Sequence, residues 1–204
     1  MKVHPVYSTE ETLIFTYQIS DKLIKENVNG CFIECGVAAG SQIGAMKQAI
    51  MDNKSDKIIY GFDSFEGIPY ASKNDNEQPG IGKIDKSKIG LLETTGVSSH
   101  SLESVELNFK NWNLNLDNVI LVKGWFQNTI KEKSKEIKDI ALLRLDGDLY
   151  ESTKIPLQYL LKKVVKGGYV IIDDWNLEGC RKAVLKYIDE EKIMFHNEIA
   201  YCII

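Results

Sequence analysis

A chain of 204 residues can bury one substantial core but is too short for two ordinary domains and a linker, so a single domain over residues 1–204 is expected. Its apolar share of 44% and charged share of 26% exclude wholesale disorder, and its net charge of −4 gives no broad basic footprint for a phosphate backbone, which argues against bare nucleic acid as a partner. Met1-Lys2-Val3-His4-Pro5 runs into polar Ser8-Thr9-Glu10-Glu11, and no window approaches eighteen apolar residues, so a cytoplasmic chain without membrane insertion is expected. Cys31, Cys35, Cys180 and Cys202 contain no C-x-x-C pair and read as reduced, hydrophobe-like thiols.

Taken in order, Ser8 with Glu11 is a capping-box signature, and Leu13, Tyr17 and Ile24 recur at helical spacing, predicting a helix before the first strand. Cys31 to Gly36 predicts a short buried strand, followed from Ser41 by a helix whose apolar face is Ile43, Met46 and Ile50. Ile58 to Asp63 predicts a second strand. From Gly67 to about His100 the periodicity vanishes among Pro69, Pro79, Gly80, Gly82, Gly90 and Gly96, and this stretch reads as a lid or substrate loop.

Leu102, Val105, Phe109 and Trp112 restore helical spacing before a third strand at Val119 to Val122 and a fourth at Ile140 to Asp146. The next helix is expected to start just before Pro156, because proline suits the first turn. Gly167-Gly168 introduces a fifth strand at Tyr169 to Asp173; a helix follows through Ala183, Val184, Tyr187 and Ile188, and a last strand runs from Ile199 to Ile204. Strands alternating with helices predict an α/β fold with a mostly parallel sheet and helices on both faces, which binds ligands beyond the carboxyl ends of its strands.

The first such end reads Glu34-Cys35-Gly36-Val37-Ala38-Ala39-Gly40-Ser41, whose small residues allow close backbone approach to a ligand, although an ordinary strand-to-helix turn explains it equally well. Ala38 and Ser41 stand where the dinucleotide pattern G-x-G-x-x-G needs its second and third glycines, which counts against a pyrophosphate cofactor and a nucleotide-linked oxidoreductase. A P-loop fails as well, since Gly82-Lys83 is followed by Ile84. Without a pyrophosphate, Glu34 is compatible with a cationic methionyl group. Asp63 can accept hydrogen bonds from ribose hydroxyls; its alternative role is to cap the turn from Ser64 to Gly67.

Asp146 and Asp148 close the fourth strand, and Asp173 and Asp174 close the fifth. If the two strands are neighbours these carboxylates converge, and two like charges about 4 Å apart repel by about 4 kcal/mol at an effective dielectric of about 20. A hard cation such as Mg²⁺, Mn²⁺ or Ca²⁺ is therefore expected there rather than zinc, the alternative being solvated turn aspartates. Successive strand residues face opposite ways, so Asp173 and Asp174 can share an ion only if the strand has ended, which Trp175-Asn176 suggests. Arg144, in an otherwise apolar strand, is read as a structural partner of nearby carboxylates. His100, at the end of the long stretch, could serve as a base or a substrate contact but reads first as a solvated loop histidine, and it is left out of the site with His4 and His196.

The run Leu143-Arg144-Leu145-Asp146-Gly147-Asp148-Leu149-Tyr150-Glu151-Ser152-Thr153 resembles the signature of the macrocin O-methyltransferase family. So do Phe62-Asp63-Ser64-Phe65-Glu66-Gly67-Ile68-Pro69, Lys123-Gly124-Trp125-Phe126 and Gly167 to Asp174, all in family order. The resemblance implies a class I methyltransferase with a Rossmann-like, seven-stranded sheet that moves the methyl of S-adenosylmethionine to a hydroxyl with the help of magnesium or a related cation. The implied acceptor is a small molecule or glycoconjugate, either a sugar of a natural product or a surface glycan, with a phenol as the alternative; a homo-oligomer is compatible with the family. Asp146, Asp173 and Asp174 match its metal ligands and Asp148 its general base, while Glu34, Gly36, Gly40, Ser41, Asp63, Ser64, Trp125 and Asp146 fall where it holds the cofactor. The chain departs from the family in its brief amino-terminal segment, which leaves Tyr70 to His100 as the long candidate lid. A protein that binds the cofactor without turnover is the non-catalytic alternative.

Overall fold

The computed structural model describes residues 2–76 and 87–204, so residues 77–86 of the expected lid lie outside the described residues. The first helix, α1 (Glu10–Lys25), starts one residue later than its sequence signature. Thr9 and Thr12 form the reciprocal cap, Thr9 Oγ1 accepting from Thr12 N at 3.1 Å and Thr12 Oγ1 accepting from Thr9 N at 3.2 Å. Ser8 bonds the Thr12 hydroxyl instead, and Glu11 accepts from the Asn197 amide near the far end of the chain.

The strands are β1 (Cys31–Cys35), β2 (Ile59–Asp63), β3 (Val119–Lys123), β4 (Ile140–Leu145), β5 (Val164–Ile172), β6 (Met194–His196) and β7 (Ile199–Ile203). They form one sheet in the order β3-β2-β1-β4-β5-β7-β6, with the first five parallel and β7 antiparallel to both β5 and β6. The helices are α2 (Ser41–Asp52), α3 (Leu102–Asn111), α4 (Phe126–Lys133), α5 (Tyr150–Leu160) and α6 (Glu178–Val184). Among the described residues, no helix is long and apolar enough to cross a membrane.

Alternation along the strands divides the core between the two faces. Phe32, Leu142 and Ile171 pack with Leu13, Leu23, Ile43, Met46 and Phe109 on one face. Ile33, Leu143, Val170 and Ile172 pack with Ile130, Leu157 and Leu160 on the other. Both faces are covered, so the central strands read as continuous apolar runs.

Three local expectations are corrected. Pro156 lies inside α5, six residues after its start at Tyr150. A proline in a helix interior costs about 3 kcal/mol, and burial of Tyr150, Thr153, Leu157 and Leu160 offsets that cost. Gly167-Gly168 does not introduce β5 but lies within it: the register moves from Ile140↔Val164 to Leu142↔Tyr169, and Gly167 takes φ +81° to absorb the extra residues. The helix expected through Tyr187 and Ile188 ends at Val184. The four cysteines are free thiols.

Candidate active site

The carboxyl ends of β1, β2, β4 and β5 enclose a cavity of about 220 Å³, whose wall includes Gly36, Ala38, Asp63, Ser64, Trp125, Asp146, Asp148, Asp173 and Asp174. It sits where chain connections leave the central β1–β4 pair in opposite directions, at the switch point of the sheet. The β1 end opens because Gly36 takes φ +102°, and a Cβ there would fall on the Asp146 carbonyl, so only glycine fits between the two strand ends.

Asp63 fastens this side of the cavity. Its Oδ2 accepts from Val37 N at 2.7 Å and Ala38 N at 2.9 Å, and its Oδ1 accepts from Phe65 N at 2.7 Å. The carboxylate thus caps its own turn and also holds the β1–α2 loop, with about one of its four lone-pair sites left for a ligand facing it in the cavity.

Three residues assigned to the cofactor do not reach the cavity wall. Glu34 is 1% exposed and faces Arg144 directly in the β1–β4 register, accepting from Arg144 NH1 at 2.9 Å. Gly40, at φ +87°, turns the chain into α2 and packs against Val105. Ser41 Oγ donates to His4 O and accepts from Val6 N, both at 3.0 Å, and so fastens the amino-terminal segment to α2. That segment carries Tyr7 to the cavity, with its ring edge-on to His100 at 5.0 Å. Tyr7, Ile68, Ser98, Gln127 and Ser152 also line the wall, and the sequence reading missed them. Gln127 and Ser152 lie in or beside the quoted motifs, whereas nothing near Tyr7 marks it in the sequence.

On the other side, the period of two accounts for the acidic cluster. Glu34, Arg144, Asp146 and Asp173 share one face, because Glu34 pairs with Arg144, Asp146 lies two residues beyond Arg144, and Asp173 lies two beyond its partner Ile171. Arg144 is 1% exposed; its NH1 donates to Asp146 Oδ2 at 2.6 Å, and its NH2 donates to Asp173. This is the structural role expected for it. Strand β5 ends at Ile172, so Asp174 is free of the alternation and joins the cluster. Oxygens of Asp146, Asp173 and Asp174 all lie within 4.8 Å of one another. Asp174 Oδ2 accepts from Asp148 N at 2.8 Å, and Asp148 adopts φ +58°, a left-handed conformation that aspartate tolerates better than most residues.

One buried guanidinium cannot neutralise this group. Burial, then the charge of Asp173, pushes the Asp146 carboxyl up to about 7 against the pull of Arg144. Burial, then Asp173 and Asp63, pushes Asp148 up to about 6, and burial with the charges of Asp148, Asp146 and Asp173 holds Asp174 well above the usual carboxylate range. Clustered carboxylate oxygens short of positive charge fit a hard divalent cation.

Residues 13–199 match the family described as Macrocin-O-methyltransferase (TylF). The chain belongs to this family. The chain is 35% identical over 172 residues to demethyldecarbamoylnovobiocin O-methyltransferase of Streptomyces niveus, covering 83% of this chain and 62% of the relative. It is 34% identical over 169 residues to 8-demethyl-8-(2,3-dimethoxy-alpha-L-rhamnosyl)-tetracenomycin-C 4'-O-methyltransferase of Streptomyces olivaceus, covering 82% and 61%. The chain thus spans about three-fifths of the length of these curated relatives. The solved structure of the O-methyltransferase NovP superposes with a TM-score of 0.78 at 33% identity, covering 94% of this chain and 78% of that one. The fold is that of class I methyltransferases.

Proposed function

We propose that this protein is an S-adenosylmethionine-dependent O-methyltransferase acting on a hydroxyl of a sugar in a natural product or surface glycan, with Asp148 as general base. The observation that carries this reading is the meeting of Gly36, Asp63 and the four carboxylates from Asp146 to Asp174 in one cavity, within a chain of the TylF family. The alternative oxidoreductase lacks its glycines, and the relatives are named as methyltransferases.

Gly36 would admit the methionyl portion of the cofactor close to the backbone, and the one lone-pair site that Asp63 has left would face its ribose, with Ser64 holding the turn beside it through Gly67 O. Trp125 supplies an aromatic wall. The acidic lining favours a sulfonium over an anionic cofactor. Asp146, Asp173 and Asp174 are the residues that would hold Mg²⁺ or a related ion, which would lower the pKa of an acceptor hydroxyl. Asp148 would take the proton of the acceptor hydroxyl, and the bound sulfonium would supply its methyl group to that oxygen and be left as a neutral thioether. In-line approach depends mainly on positioning, which the β4–α5 turn provides for Asp148.

Isothermal titration of the dialysed protein with S-adenosylhomocysteine, with NADH as control, tests the cofactor class. One-site binding of the first and none of the second is expected. A folded protein that ignores S-adenosylhomocysteine contradicts the proposal.

A further inference from the structure

We propose that Asp75, in the segment after β2, is the positioning residue for Asp148. Helix α5 starts without a side-chain cap of its own, because its N-cap residue is Leu149. Its first amide is capped from a distance in sequence: Tyr150 N donates to Asp75 Oδ1 at 2.7 Å. Asp75 is 7% exposed, and its other oxygen accepts from Ser72 N and Ser72 Oγ, both at 2.8 Å, so the carboxylate is held from both sides.

Two neighbours fit this arrangement. Gly179, in α6, is the residue beside the carboxylate, and a Cβ there would fall on Asp75 Oδ1 and within 3.1 Å of Tyr150 N. The Tyr150 side chain is 3% exposed, its hydroxyl accepts from Lys186, and its ring lies under the Lys186 ammonium at 5.0 Å. Tyr150 is therefore a fixed point, two residues from the proposed base.

The turn between β4 and α5 is held amide by amide. Asp148 N donates to Asp174 at 2.8 Å, Leu149 N donates to Gly147 O at 2.6 Å, and Tyr150 N donates to Asp75. The first two bonds arise within the acidic strand ends. The third comes from the 67–100 stretch, so the placement of Asp148 at φ +58° depends on a residue outside the cluster. Losing the Asp75 bond releases the end of a turn whose left-handed residue the surroundings must hold in place.

The kinetic part of this inference rests on the methyl-transfer reading, so the test also has a readout that does not. Amide hydrogen exchange is measured on wild type, Asp75→Ala, Asp75→Asn and Gly179→Ala, with S-adenosylhomocysteine binding as the check on the rest of the cavity. Loss of a cap of this kind should speed exchange about tenfold. Asp75→Ala and Gly179→Ala should show this at Tyr150 and also at Leu149 and Asp148, with the β4 amides unchanged. Asp75→Asn, whose amide oxygen still accepts, should stay nearer wild type, and Gly179→Ala carries the comparison should Asp75→Ala fail to fold. On any acceptor that the wild type methylates, kcat should fall about tenfold for the two disruptive variants, with KM for S-adenosylmethionine unchanged. Faster exchange confined to Tyr150, or no change there, overturns the proposal, because Asp75 then fastens only its own loop. A wild type inert toward every acceptor counts against methyl transfer and leaves the exchange result to decide the Asp75 link.

Discussion

The carboxyl edge of the sheet has two halves that use the same residue type differently. At the β1–β2 end, the Asp63 carboxylate is matched by three backbone N–H groups and holds the loop that bounds the cavity. At the β4–β5 end, four aspartates meet, two of them paired with a single buried arginine, and burial with mutual repulsion raises three of the four. An aspartate at a strand end is therefore not one kind of residue. Where amides converge on it, it builds structure. Where other carboxylates do, it leaves a demand for positive charge that a cation or a sulfonium can meet.

This contrast ranks the substitutions. The largest effect is expected at Asp148→Asn, which should lower turnover by about a thousandfold, in the range of a lost general base. S-adenosylhomocysteine should still bind, and single-turnover methylation of a screened acceptor is the check. Unchanged turnover would remove Asp148 from the chemistry.

Next comes Arg144→Met, which strands Glu34, Asp146 and Asp173 without their cation. Breaking a buried ion group in this way costs roughly 3–5 kcal/mol, and thermal unfolding should show a midpoint about 10 °C lower. A midpoint that stays put would mean that the cluster is not held by the arginine.

Asp63→Ala should have the smallest effect. It releases three backbone amides beside solvent-accessible space, for a loss of about 1–2 kcal/mol, seen together as weaker S-adenosylhomocysteine binding and a slightly lower denaturation midpoint. If Asp63→Ala proved as damaging as Asp148→Asn, the two halves would not differ as described.

Much of this division was visible in the chain. The order of strands β1 to β5, helices α2 and α3, the apolar faces, the aspartates at the strand ends and the pairing of Arg144 follow from periodicity and from the cost of burying charge. The local misreadings have identifiable causes. Thr9 displaced Ser8 as the cap because two threonine hydroxyls can reciprocate. Tertiary packing carried α5 through Pro156, and Gly167-Gly168 marks an irregularity inside a strand because the bend lets β5 keep pairing with β4 on both sides of it.

Two short elements were missed. Helix α4 buries just Phe126 and Ile130, and three-residue β6 is exposed throughout; neither offers enough apolar positions for a period to show. The site residues were harder to read for another reason. Glu34 and Ser41 flank the small-residue β1–α2 loop in sequence, but one faces a neighbouring strand and the other an amino-terminal segment. Tyr7 reaches the cavity, and Asp75 the start of α5, only through long-range folding, which no local pattern records.

The most direct test of the account is titration of the metal-free protein with Mn²⁺, followed by water-proton relaxation, for wild type, Asp174→Asn and Asp63→Asn. The account predicts one saturable site in the wild type, lost in Asp174→Asn and kept in Asp63→Asn. No saturable site in the folded wild type, or one that survives equally in both variants, would contradict the claim that the β4–β5 end is built to hold a cation.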